Sequence, residues 1–162
     1  MYKRQILTSS IDTLKVLSIQ NQNILSLTGI EDFFNLRVLR CSNNQISDIN
    51  LSNNILLRHI YCGGNQLTEL NLSSNDSLRI LKCGNNPIIS LDLSNNFNLI
   101  QLFSRNCNLT NLNIKNGNNI ILDSLSVTGN PNLNCIEVNN INYFNNNFTV
   151  SSSNIDPQHY FS

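Results

Sequence analysis

The sequence predicts an α/β-class solenoid. It is a right-handed superhelix of stacked coils, with a parallel β-sheet on the concave face, extended and turn structure on the convex side, and very little helix. Three observations predict it. Leu36, Leu57, Leu78 and Leu99 recur with a period of 21, and so do Leu51, Leu72 and Leu93, followed by Ile114. Cys41, Cys62 and Cys83, followed by Ser104, keep the same period. So do Asn44, Asn65 and Asn86, followed by Cys107. A unit this short cannot bury a core alone, whereas stacked copies bury a continuous one.

The unit reads L-x-x-L-x-C-x-x-N, the pattern of a leucine-rich-repeat solenoid. The first coil runs from Leu14 to Asn35, the second from Leu36, the third from Leu57 and the fourth from Leu78. The fifth starts at Leu99 and carries two extra residues, Ile120 and Ile121; the sixth starts at Leu122 and ends irregularly. The domain reading is therefore a solenoid of about six coils over 14–135. Residues 1–13 form an N-terminal cap or partial repeat, and 136–162 a C-terminal cap or tail.

Each element has a reason. Leu78-Arg79-Ile80-Leu81-Lys82-Cys83 alternates at its end as a strand does. The asparagine three residues beyond the cysteine turns inward, where its amide can bond backbone groups that a buried turn would leave unsatisfied. Gln22 departs from this and loosens the first coil. The second apolar stretch, such as Leu91-Asp92-Leu93, is too short for a helix. Its corner carries Asn54, Asn75 or Asn96, with Gly117 in the fifth coil. Open solenoid ends expose core and require caps. Tyr143, Phe144, Phe148, Tyr160 and Phe161 are placed to cover the last coil, with Asn145-Asn146-Asn147 as a loop between them.

Composition narrows the function. The chain has 162 residues, a formal net charge of zero and 12% charged residues, so bulk charge predicts no nucleic-acid partner and no membrane insertion. About a fifth of the chain is asparagine, far above ordinary usage, and much of it sits at fixed repeat positions. The five cysteines do not read as a disulfide framework. One repeat position accepts Cys, Ser104, Ile19 and Val127, which describes a small buried slot. No C-x-x-C spacing occurs, so no metal site is expected, and no cofactor. No apolar run reaches the roughly 18 residues of a spanning helix. Met1-Tyr2-Lys3-Arg4 opens no signal peptide, so the chain reads as cytosolic or as an excised fragment.

The repeats, together with the closing stretch from Val127 to Val138 and the tail Ile155-Asp156-Pro157-Gln158-His159-Tyr160-Phe161-Ser162, resemble leucine-rich-repeat proteins of the Bacteroidetes, flavobacteria especially. Their spacing is similar to that of internalins. The resemblance implies an extracellular or cell-surface location and a role in binding or adhesion. It carries no shared catalytic residues.

No catalytic constellation stands out. His59 is placed on the exposed strand face and His159 near the end, and no G-x-S-x-G, H-E-x-x-H or G-x-x-x-x-G-K motif occurs. The chain is read as a non-enzyme. Charge placement is the sharper signal. Lys15, Arg37, Arg58 and Arg79 follow the first leucine of consecutive coils, and Arg40 and Lys82 share an outward position with Tyr61 and Phe103. Glu31, Asp32, Asp48, Glu69, Asp76 and Asp92 fall elsewhere. Like charges about 4.8 Å apart repel, so the ladder calls for anionic partners, in part Asp12 and Asp76. The expected binding face is Arg37, Arg40, Arg58, His59, Tyr61, Arg79, Lys82, Phe103 and Arg105. It would recognise a protein or an acidic glycan, Arg and Tyr being the types that dominate hot spots. A solvated strand edge is the plain alternative, and a scaffold or spacer within a larger secreted protein is the alternative role. Asn-x-Ser/Thr at Asn50, Asn71, Asn75, Asn108 and Asn147 is read as coincidence. Asp12-Thr13-Leu14, Asp76-Ser77-Leu78 and Asp123-Ser124-Leu125 resemble the Bacteroidetes O-glycosylation site.

Overall fold

A coil of 21 residues leaves room for two short extended runs and the turns between them, and the chain folds accordingly. The computed structural model describes residues 13–162 and is a leucine-rich-repeat β-solenoid of about seven turns. One strand per coil builds a parallel sheet of six: β1 (Val16–Ser18), β2 (Val38–Arg40), β3 (His59–Tyr61), β4 (Ile80–Lys82), β6 (Gln101–Phe103) and β8 (Ser124–Ser126). This long sheet is the one expected on the concave face. Its register runs Leu17, Leu39, Ile60, Leu81, Leu102, Leu125. Leu39 through Leu125 of that row are buried.

The second apolar stretch goes further than extended or turn structure. In the later coils it forms a second parallel sheet, ordered β10 (Tyr160–Phe161), β9 (Cys135–Glu137), β7 (Asn111–Asn113), β5 (Ser90–Asp92). Leu91, Leu112 and Ile136 share one buried row there. Among the described residues helix is confined to two 3-10 turns, Ile30–Asp32 and Asn119–Ile121, and one short helix α1, Ile141–Asn147.

Between the coils stand columns of like residues. Cys41, Cys62, Cys83 and Cys107 are buried and free. Burial pushes the Cys41 thiol up to about 12 and raises those of Cys62, Cys83 and Cys107 as well, so all four are inert packing groups. The inward asparagines follow. Asn86 donates from Nδ2 to the Cys62 and Cys83 carbonyls at 3.1 and 2.8 Å and accepts from the Leu67 amide at 3.0 Å. Asn65 and Asn130 repeat the arrangement. Asn44 binds the Gln22 and Ile24 amides, so the first coil is tied down despite Gln22. The residue before each of these positions takes a left-handed backbone: Asn21, Asn43, Gly64, Asn85, Asn106 and Gly129, all with φ between 53° and 76°. Asn and Gly tolerate that region best.

Three expectations are corrected. The fifth corner passes from Gly117, which is exposed, to Asn116 and Asn119. Their amides bond the Asn96 and Ile114 carbonyls because the two extra residues shift the turn. Asn145, Asn146 and Asn147 are helical, not a loop. Asn140 caps α1 by accepting from the Tyr143 amide, and Phe144 and Phe148, four apart, bury its inner face. Tyr160 points outward and is 57% exposed, while Tyr143, Phe144, Phe148 and Phe161 pack ring against ring. His159 is buried beside them. Its Nδ1 accepts from the Asp156 amide, and Asp156 Oδ2 accepts from the Gly129 and Asn130 amides, which closes the last turn.

Candidate functional site

The outward row of the long sheet runs Ser18, Arg40, Tyr61, Lys82, Phe103, Ser126 in strict register. Strand alternation puts these side chains opposite the buried leucines. Arg40 Cζ lies 5.5 Å from the Tyr61 ring centre, and Lys82 Nζ lies 5.6 Å from Tyr61 and 4.7 Å from Phe103. Cation and ring therefore alternate along four coils. A cation over an aromatic face contributes about 0.5–1 kcal/mol at an exposed site, which holds the row in place without neutralising it.

His59 stands one row over, 6.4 Å from Tyr61 and edge-on to it. Partial burial lowers its pKa, and Arg79, Arg40 and Arg58 lower it further, so the ring is neutral at pH 7. Among the described residues no carboxylate lies within 4 Å of it.

Arg37, Arg58 and Arg79 precede their strands and are exposed at the strand entrance. Arg58 and Arg79 line a shallow polar recess with Ser77 and Asn98. Asn98 was not singled out in sequence, and Ser77 only as part of the Asp76-Ser77-Leu78 stretch; each immediately precedes a repeat leucine, and that position was the available signal. Arg105 sits apart from this group. Its Nε donates to Ser126 and one terminal nitrogen to the Ser153 carbonyl at 3.2 Å, so it also ties the C-terminal segment down.

Of the two expected internal counter-ions, Asp76 forms no ion pair with a described residue. Among the described residues the one ion pair joins His159 and Asp156 at 3.5 Å. Asp76 instead accepts from the Ser77 hydroxyl, and Asp12 lies outside the described residues. Asp48 and Glu69 line a recess with Asn50 and Asn71 away from the long sheet. Asp48 and Glu69 thus lie on a different flank from the cations of the long sheet.

The fold has solved counterparts. The internalin inlF of Listeria monocytogenes matches 96% of this chain with a TM-score of 0.67 at 23% identity, over 49% of its own length. A leucine-rich-repeat protein of Leptospira interrogans matches 95% of the chain with a TM-score of 0.62 at 20% identity, over 47% of its length. The fold is a leucine-rich-repeat solenoid of the internalin kind. The functional domain of the Listeria InlJ, described as including a cysteine ladder, matches 78% of the chain at 24% identity, with a TM-score of 0.56, over 35% of its length. The chain thus spans about half the length of the first two or less. No protein-family model matches the chain, and no curated protein matches it in sequence. Among the described residues no helix is long and apolar enough to cross a membrane.

Proposed function

We propose that this chain is a non-catalytic, protein-binding repeat module whose long sheet presents Arg40, Tyr61, Lys82 and Phe103, flanked by His59, to an acidic partner surface. The observation that carries this reading is the register row of alternating cations and rings, with no carboxylate within 4 Å of any of its cations among the described residues. An outside anion completes such a row. The strands hold these side chains before a partner arrives, so little entropy is lost on binding, and the basic strip raises the rate of encounter with an acidic partner. A cell-surface or extracellular location goes with this reading, as does the resemblance to flavobacterial proteins.

The test is retention on immobilised acidic protein and, in parallel, on acidic polysaccharide across a salt gradient, comparing the natural chain with Arg40→Glu, Lys82→Glu. Salt-sensitive retention on protein that the double variant loses is the expected result. Retention on polysaccharide alone moves the ligand class to acidic glycans. Equal behaviour of the two chains reduces the row to a solvated edge.

A further inference from the structure

A second surface lies on the edge where each coil turns from its convex side into the long sheet. The turn is closed by the amide of the first repeat leucine: Leu36 to the Phe33 carbonyl, Leu57 to Asn54, Leu78 to Asn75, Leu99 to Asn96 and Leu122 to Asn119, at 3.0–3.2 Å. The first of the two tip residues is Phe34, Ile55, Asp76, Phe97 and Ile120 in turn. Turn tips favour Gly, Pro, Asn, Asp and Ser. Four of these five are large and apolar, 45–53% exposed, and Leu56 and Ile121 at the second tip position are exposed beside them.

The preceding turn of the same coils is an internal control. It is closed by Asn54 to Leu51, Asn75 to Leu72 and Asn96 to Leu93, and its tips are Ser52-Asn53, Ser73-Ser74 and Ser94-Asn95, all polar. Among the described residues nothing covers the apolar tips, so a local rule is broken here without a structural return, as happens at functional surfaces.

Charge defines what fits. The recess of Arg58, Arg79, Ser77 and Asn98 opens beside the middle of the row, and its two guanidinium groups have no carboxylate within 4 Å among the described residues. Asp76 occupies the central tip and is exposed. An acid at the centre of the strip disfavours seating on an anionic lipid surface. Five turns stacked about 4.8 Å apart span about 19 Å. One side chain wide, that strip is far smaller than the roughly 800 Å² per partner of a standard stable interface, which disfavours a second copy.

We propose that this turn edge docks a segment of a partner protein in which an Asp or Glu lies between apolar side chains. The apolar groups rest on Phe34 and Ile55 on one side and on Phe97 and Ile120 on the other. The carboxylate enters between Arg58 and Arg79, held to that flank by repulsion from Asp76. This surface is separate from the Arg40–Phe103 row, and the two readings fail independently.

The probe is a library of random dodecapeptides displayed on phage, selected on the whole chain, with the enriched peptides measured in solution. Expected are sequences with Asp or Glu between apolar residues, whose affinity drops about tenfold or more in Phe97→Asp and in Arg79→Glu but is unchanged in Lys82→Glu. Thermal melting confirms that each variant is folded, and Ile55→Ser serves as a second apolar variant if Phe97→Asp is not. Peptides without that consensus, or binding indifferent to both edge changes, overturn the proposal. So does capture by anionic vesicles, or self-association in sedimentation, that Phe97→Asp abolishes.

Discussion

Two asparagine columns run the length of the solenoid, and they are not equivalent. Asn65 and Asn86, beside the cysteine column, use both ends of the amide: Nδ2 bonds two carbonyls, and Oδ1 accepts from Ile46 and Leu67 respectively. Asn54, Asn75 and Asn96, at the other corner, also give Nδ2 to two carbonyls each. Their buried Oδ1 atoms have no partner. The same residue type, buried in both, is thus fully used in one column and half used in the other. Burial of an amide does not measure its contribution; the backbone groups that depend on it do.

The difference is broken most sharply by Asn86→Ala against Asn96→Ala. In Asn86→Ala the Leu67 amide loses its acceptor and the Cys83 carbonyl loses its amide donor, two buried groups at about 1–3 kcal/mol each. A loss of about 3 kcal/mol is expected, seen as a fall in Tm of about 10 °C. In Asn96→Ala the Leu72 and Asn75 carbonyls keep the Asn75 and Leu78 amides, and an unpaired oxygen is removed. The expected loss is about 1 kcal/mol. Equal losses in denaturant unfolding contradict the comparison.

A gain sharpens it. Cys107 occupies the satisfied column, yet its sulfur makes only long contacts, 3.6 Å to the Cys83 carbonyl and 3.7 Å to the Arg105 carbonyl. It offers no oxygen to the Ile88 amide, which stands where Leu67 stands one coil earlier. Cys107→Asn supplies both bonds and should stabilise by about 1 kcal/mol. An unchanged or lower unfolding midpoint shows that the slot has adapted to sulfur.

The smallest effect concerns pH. The folded state lowers the pKa of His59 below its usual 6.5, so the unfolded chain takes up the proton first. Stability from this group is therefore full above pH 6.5 and declines as pH falls below it. The group is only partly buried, so the slope is slight. It should vanish in His59→Asn when melting temperatures are compared across that range.

Much of this was legible in the sequence because a strict period leaves few choices. Residues 21 apart must stack, so the buried leucines, the cysteine slot and the row of Arg40, Tyr61, Lys82 and Phe103 could be placed from numbering alone. The tail was harder. Asn145, Asn146 and Asn147 have weak helix propensity, and only packing of Phe144 on Phe148 and Phe161 makes them helical. The apolar turn tips were visible as Phe34, Ile55, Phe97 and Ile120, each two residues before a repeat leucine. Their exposure was not, because one-dimensional periodicity does not separate an apolar residue at a turn tip from one in the core.

The sequence by itself determined the stacking of coils, the long parallel sheet and the alternation of cations and aromatic rings across it. These follow from a repeat and from strand alternation, which are properties of spacing. Only the tertiary structure decided that the later coils add a second sheet, that Arg105 reaches the Ser153 carbonyl of the C-terminal segment and that Asp76 accepts from the Ser77 hydroxyl instead of pairing with an arginine. Each of these depends on where a side chain ends in space relative to a neighbouring coil, and distances of a few ångströms are not fixed by spacing along the chain.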